Sequence, residues 1–142
     1  TTLTSGGVLS PDGRYLAFVA RHGNDGKTRL WVRPLESARA RVLPGTEGAF
    51  RPFWSPDGQS LAFFAGGRLK RINVAGGPAQ ALATVGYRPS GGTWSSNGLV
   101  LYSDRMSPIY AVPASGASQV KAVTTFDAVV DTGRALQLVV VE

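Results

Sequence analysis

Two carboxylates set in the same four-residue phrase are the most obvious candidates for chemistry in this chain. Asp12 lies in Ser10-Pro11-Asp12-Gly13 and Asp57 in Ser55-Pro56-Asp57-Gly58, while Asn97 holds the matching place in Ser95-Ser96-Asn97-Gly98. Paired acids could share general acid and base work if both faced one pocket. The phrase itself argues for a turn instead. Proline presets the φ of a turn's second position, an Asp or Asn side chain accepts backbone N–H groups within the turn, and glycine supplies positive φ. Asp12, Asp57 and Asn97 are therefore expected to be structural turn residues, repeated along the chain and far apart in space.

No other catalytic constellation emerges. His22 is the single histidine, in the polar connection Arg21-His22-Gly23-Asn24-Asp25-Gly26, so a Ser-His-Asp triad would have to use it. A Gly-x-Ser-x-Gly elbow is absent, and without cysteine there is neither a disulfide nor a thiolate metal site. The pairs Gly66-Gly67, Gly76-Gly77 and Gly91-Gly92 are not followed by the Lys-Ser or Lys-Thr of a phosphate loop, and they read as hairpin turns. No catalytic residue, metal or cofactor is assigned.

The turn phrases recur after 45 and 40 residues, and three further registers recur with them. Leu16-Ala17-Phe18, Leu61-Ala62-Phe63 and Leu99-Val100-Leu101 follow the turns, the last after a two-residue deletion. Arg29-Leu30-Trp31-Val32, Arg68-Leu69-Lys70-Arg71 and Pro108-Ile109-Tyr110-Ala111 come next, and then runs ending at Leu43, Leu82 and Val123. Short alternating runs bounded by Gly, Pro, Asn and Asp are strands, and no stretch has a 3.6-residue period. A four-strand unit of this length is a propeller blade. The fold class is all-β, with blade 1 at about residues 5–45, blade 2 at about 49–84, blade 3 at about 90–125 and a tail strand in 126–142. Leu30, Leu69 and Ile109 should face the packing side, and Trp54 and Trp94 should pack between blades.

The runs Trp54-Ser55-Pro56-Asp57-Gly58-Gln59-Ser60-Leu61-Ala62-Phe63 and Ser10-Pro11-Asp12-Gly13-Arg14-Tyr15-Leu16-Ala17-Phe18 resemble the WD40-like, Pro-Asp-type repeats of TolB-like propellers. Leu30-Trp31-Val32-Arg33-Pro34-Leu35 with Leu43-Pro44-Gly45-Thr46-Glu47-Gly48 is similar to propeller regions fused behind bacterial serine/threonine protein kinases. The resemblance covers about residues 5–125. It implies a six-bladed propeller, of which this chain supplies half, and an extracytoplasmic or periplasmic location. It also implies either a non-catalytic module for protein or peptide interaction, or the sensor or gating propeller of a larger enzyme, a receptor kinase or serine peptidase.

Charge narrows the partners. Fifteen basic residues against nine acidic ones give a net charge of +6, and twelve of the bases are Arg, which suits bidentate contact with carboxylates. They are spread along the chain rather than gathered into a stripe, which points away from nucleic acid and towards an acidic protein or peptide. No apolar run approaches the length of a membrane span.

In a propeller the connections entering the innermost strands share a face with those between second and third strands. That geometry nominates Glu47, Phe50, Arg51, Tyr87, Arg88 and His22 as the ligand or partner surface. Three blades do not close a ring, so two copies are expected to form a six-bladed homodimer, with the apolar run Ala135 to Val141 as a possible crossing strand, outer strand or start of another blade.

Overall fold

The structure, a computed structural model, describes residues 2–4, 6–86, 88–105, 107–116, 119–126 and 138–140. Its described residues form three blade sheets laid side by side as an arc, each an antiparallel meander in chain order, and a two-stranded antiparallel pair after the third. Blade 2 has four strands of five or six residues, with β6 (Phe50–Trp54) innermost, then β7 (Ser60–Ala65), β8 (Arg68–Asn73) and β9 (Gln80–Thr84). Blade 3 repeats it with β10 (Pro89–Trp94), β11 (Leu99–Asp104), β12 (Ile109–Pro113) and β13 (Lys121–Ala122). In blade 1 the innermost strand is broken into β1 (Thr2–Leu3) and β2 (Val8–Leu9), both paired with β3 (Tyr15–Arg21), which is followed by β4 (Thr28–Pro34) and β5 (Arg41–Val42).

The first-to-second strand turn is built on serine as much as on aspartate. Ser55 Oγ donates to Asp57 Oδ1 at 2.6 Å and accepts the Ser60 N–H at 2.9 Å, while Asp57 Oδ1 also accepts the Gln59 N–H at 3.0 Å. Ser10 and Asp12 repeat the arrangement with Tyr15 and Arg14. Both serines are buried, so each hydroxyl satisfies a strand amide that water cannot reach. The glycine that ends each turn has φ of +72° at Gly13, +69° at Gly58 and +84° at Gly98. In blade 3 the Asn97 carbonyl oxygen accepts the Leu99 N–H at 3.3 Å.

That third turn corrects the sequence alignment. Ser55 N–H bonds to the Ser60 carbonyl, but Ser95 N–H bonds to the Leu99 carbonyl, so one residue is deleted rather than two. Because strand side chains alternate, this slip changes which face each residue takes. Val100 is the partner in kind of Leu61, opposite Trp94 as Leu61 is opposite Trp54, and Leu101 corresponds to Ala62.

The two faces of each sheet form two cores between blades. Ala17, Val19, Leu30, Val32 and Leu43 of blade 1 pack on Trp54, Leu61, Phe63 and Ile72 of blade 2. Ala62, Phe64, Leu69 and Leu82 on the other face of blade 2 pack on Val100, Tyr102 and Val112 of blade 3. Burying a Leu or Phe side chain in this way contributes about 1.5 to 3 kcal/mol, so the blades hold one another.

Two further expectations are revised. Gly91-Gly92 is no hairpin turn but lies within β10, because the ring of Phe53 and the carbonyl of Leu101 approach within 2.6 Å of the place a Cβ on Gly92 would fill. The tail residues Leu138–Val140 (β15) pair antiparallel with Thr124–Phe126 (β14) of the same chain, which does not match a strand crossing between copies. The rest of 127–142 lies outside the described residues.

The hydrogen bonds from Ser10 and Ser55, followed by those from the Arg14 and Gln59 amides, hold the carboxyls of Asp12 and Asp57 below their ordinary value. A depressed folded pKa stabilises the fold above the unfolded value of about 3.9, and that stability is lost as pH falls through the folded one. The melting temperature is expected to drop between about pH 4 and the lower folded values. Asp57→Ala should cost about 1 kcal/mol at neutral pH and flatten the acid limb. Thermal melts across pH check this, and identical curves for wild type and variant would show that the turn is not held by its acid.

Candidate binding cleft on the inner strands

Every innermost strand carries extra residues in its first half. Phe50 pairs with Phe64 and Phe53 with Ala62, leaving one residue too many in β6, and β10 shifts register between Pro89 and Gly91. In blade 1 the excess separates β1 from β2 altogether. Bulges of this kind re-aim side chains and twist a strand edge away from further pairing.

Arg51 sits in the bulge of β6 with φ at +50°, the one non-glycine among the described residues in the left-handed region. Holding a long side chain there costs about 1 kcal/mol or more. Arg51 lines a cleft of about 640 Å³ along the inner strands, together with Thr4, Val8 and Thr28 of blade 1, Phe50 and Phe53 of blade 2, and Gly92 of blade 3. Among the described residues, Arg51 is the only charged one lining it. Phe50 beside it is 39% exposed and rests on Phe64, ring centroids 5.8 Å apart.

The remaining candidates are held elsewhere. Glu47 meets Arg29 Nε at 3.5 Å, and Arg29 Nη2 meets Asp25 Oδ2 at 2.5 Å, tying the β3–β4 loop to the chain entering blade 2. The hydrogen bond from Arg29, followed by the Lys27 amide, lowers the Asp25 carboxyl to about 2. Arg88 is exposed, and its backbone N–H donates to Asp104 Oδ1 at 3.1 Å. His22 lies edge-on to Trp31 with centroids 5.5 Å apart. Tyr87 lies outside the described residues. The structure thus brings Phe50 and Arg51 together and leaves Glu47, Arg88 and His22 off the cleft lining.

Some contributors carried no motif. Buried Thr46 accepts the Leu30 N–H at 3.0 Å, and buried Thr124 accepts the Ile109 N–H at 2.7 Å, so each secures the end of a third strand. Their threonines differ in distance from the preceding apolar run, which hides the equivalence. Trp54 Nε1 donates to the Val8 carbonyl across the blade 1–2 junction, and the Arg71 guanidinium stacks over Trp94 at 4.9 Å. Among the described residues no cluster of metal-ligating side chains occurs, and no helix is long and apolar enough to cross a membrane.

An arc of four-stranded meanders with bulged inner strands matches known propellers. The TolB of Agrobacterium tumefaciens superposes with a TM-score of 0.69 over 82% of this chain and 44% of its own, at 22% identity. The TolB of Acinetobacter baumannii gives 0.70 over 85% and 32%, at 17% identity. The chain has the fold of β-propeller blades. The β-propeller domain of the Trilobed protease from Pyrococcus furiosus is also similar, with a TM-score of 0.60 at 14% identity over 77% of this chain and 39% of that one. In sequence, the peptidase YuxL of Bacillus subtilis, itself uncharacterized, is 32% identical over 101 residues, 63% of this chain and 15% of that protein. The chain therefore spans less than a sixth of that relative's length. No family model matches.

If the φ of Arg51 is strained, relieving it should stabilise the fold. Arg51→Gly is expected to gain about 0.5 kcal/mol after the extra unfolded-state entropy of glycine, and β-branched Arg51→Val to lose about 1 to 2 kcal/mol. Denaturant melts of the three proteins should rank Gly above Arg above Val; the reverse order would place position 51 in ordinary strand geometry.

Proposed function

We propose that this chain is a non-catalytic β-propeller module that binds a protein or peptide, with acidic groups on the ligand meeting Arg51 in the inner cleft. The observation that supports the reading most is the strained Arg51: its guanidinium has no carboxylate partner among the described residues, and it stands beside the exposed ring of Phe50. Backbone strain kept at one exposed residue is characteristic of a binding position. Arg offers a planar fork to a carboxylate and Phe50 an apolar contact next to it, a pairing suited to an acidic peptide with an adjacent apolar side chain. Arg88 on the same side would extend the electrostatic attraction without touching the cleft. An extracytoplasmic site of action fits the TolB likeness.

A second reading has its own support. The sequence match to a peptidase and the likeness to the propeller domain of a protease favour a gating propeller within a larger hydrolase. The two differ in what the chain alone does. As a binding module it should take up acidic peptides by itself, and as a gate it should act only beside a catalytic domain.

Titrating the chain with fluorescent peptides of matched length separates them. Acidic peptides should bind more tightly than neutral ones, binding should weaken with salt, and Arg51→Ala should weaken it about ten-fold, roughly 1.4 kcal/mol. Equal, salt-independent binding of acidic and neutral peptides would overturn the reading. The isolated chain should hydrolyse neither ester, peptide nor nucleotide substrates, and turnover lost in His22→Ala would contradict the non-catalytic assignment.

A further inference from the structure

Four dipeptides in this chain set a short acid or amide directly before a glycine: Asp12-Gly13, Asp25-Gly26, Asp57-Gly58 and Asn97-Gly98. With no side chain to obstruct it, the glycine nitrogen is free to approach the Cγ in front of it and close a cyclic imide. In the three Asp-Gly pairs that closure is blocked. It needs a protonated carboxyl, because a carboxylate has no group that can leave, and each of these acids is held ionised. Ser10 and Ser55 donate to Asp12 and Asp57 at 2.6 Å, Arg29 pairs with Asp25 at 2.5 Å, and the amide two residues beyond each acid bonds its Oδ1 at 3.0 Å. All three carboxyls lie below their ordinary value.

Asn97 stands in the same turn without that protection. An amide does not ionise, so its Cγ stays open to attack at neutral pH. Its Oδ1 accepts the Leu99 N–H at 3.3 Å against 3.0 Å in the acid turns, and the Ser95 hydroxyl stands 3.5 Å from the Asn97 N–H, where Ser55 donates to its acid at 2.6 Å. Both Asn97 and Gly98 are exposed to the water the reaction consumes. The other two asparagines are worse placed. Asn73 precedes β-branched Val74 and holds the Ala75 N–H at 2.8 Å, and Asn24 precedes the ionised Asp25.

We propose that Asn97-Gly98 is a site of spontaneous covalent modification whose outcome is felt at the junction of blades 2 and 3. The Gly98 nitrogen attacks Asn97 Cγ, a C–N bond forms, and the side-chain nitrogen departs as ammonia with the proton that Gly98 gives up. Water then opens the imide at one of its two carbonyls. Opening at Cγ leaves aspartate, the acid that Asp12 and Asp57 supply in the other turns. Opening at the backbone carbonyl leaves isoaspartate, which routes the main chain through Cβ and adds one atom to the turn that sets the pairing of β10 with β11. The Gly98 carbonyl accepts the Ala114 N–H at 2.9 Å just past β12, and the Ala114 carbonyl accepts Arg71 Nη1 of blade 2 at 2.5 Å while the guanidinium stacks on Trp94. An extra backbone atom ahead of Gly98 displaces the support of this clamp, whereas aspartate leaves it in place.

Ageing the purified chain at physiological pH and temperature and mapping its proteolytic peptides by mass spectrometry reads the reaction. The peptide holding Asn97 should gain the mass that exchanges an amide for an acid well before those holding Asn24 or Asn73. An isoaspartyl methyltransferase should label that peptide and leave the three Asp-Gly peptides unlabelled over the same period. The isoaspartate form, separated by chromatography, should melt several degrees below fresh protein, while Asn97→Asp should melt at or above it. Asn97 intact in the folded chain after the urea-unfolded chain has converted, earlier conversion at another asparagine or at an Asp-Gly pair, or an isoaspartate form that melts like fresh protein would each overturn the proposal.

Discussion

One hydrogen-bonded turn sets the terms for everything else in this fold. The buried hydroxyls of Ser10 and Ser55 each accept the first amide of the second strand and donate to the turn aspartate. This locks how the innermost strand pairs with the second. Since side chains alternate across a strand, the turn thereby decides which residues face the preceding blade and which face the next. Leu61 and Phe63 go one way and Ala62 and Phe64 the other, and both sets are wholly buried because a neighbour waits on each side. A blade is too thin to hold a core alone, so an error of one residue in the turn would unmake two junctions at once.

The same logic explains where the molecule can depart from its repeat. The positive φ of Arg51 and the bulges of β6 and β10 lie in the first half of the innermost strands, away from the turn, and a further register shift lies where β9 pairs with β8 beside Leu69. Arg51 can be held at positive φ because β7 and the packing of Phe50 and Phe53 on Phe64 fix the strand on either side of it. Backbone strain and core packing are in this way assigned to different ends of one strand.

The blade pattern was legible because its signals are local. Pro-Asp-Gly turns, alternating apolar runs and a period near 40 residues each follow from backbone chemistry within a few positions. The third turn misled for the same reason: with Leu99, Val100 and Leu101 all apolar, alternation cannot say which of them faces inward, and only the Ser95–Leu99 hydrogen bond resolves it. Gly91-Gly92 looked like a turn because the contact that demands glycine comes from Phe53, almost 40 residues away. The candidate surface was found by topology alone, which located Phe50 and Arg51 but also nominated Glu47, whose ion pair with Arg29 depends on side-chain geometry.

The register of blade 3 is the point on which this account turns, and interstrand proton contacts measured by nuclear magnetic resonance test it directly. Residues opposite one another in a non-hydrogen-bonded antiparallel pair bring their Cα atoms to about 4.5 Å. Leu9 with Leu16, Trp54 with Leu61 and Trp94 with Val100 are such pairs. Three strong Hα–Hα contacts of equal kind are expected for these pairs. A strong contact between Trp94 and Leu101 in place of Trp94 and Val100 would contradict it.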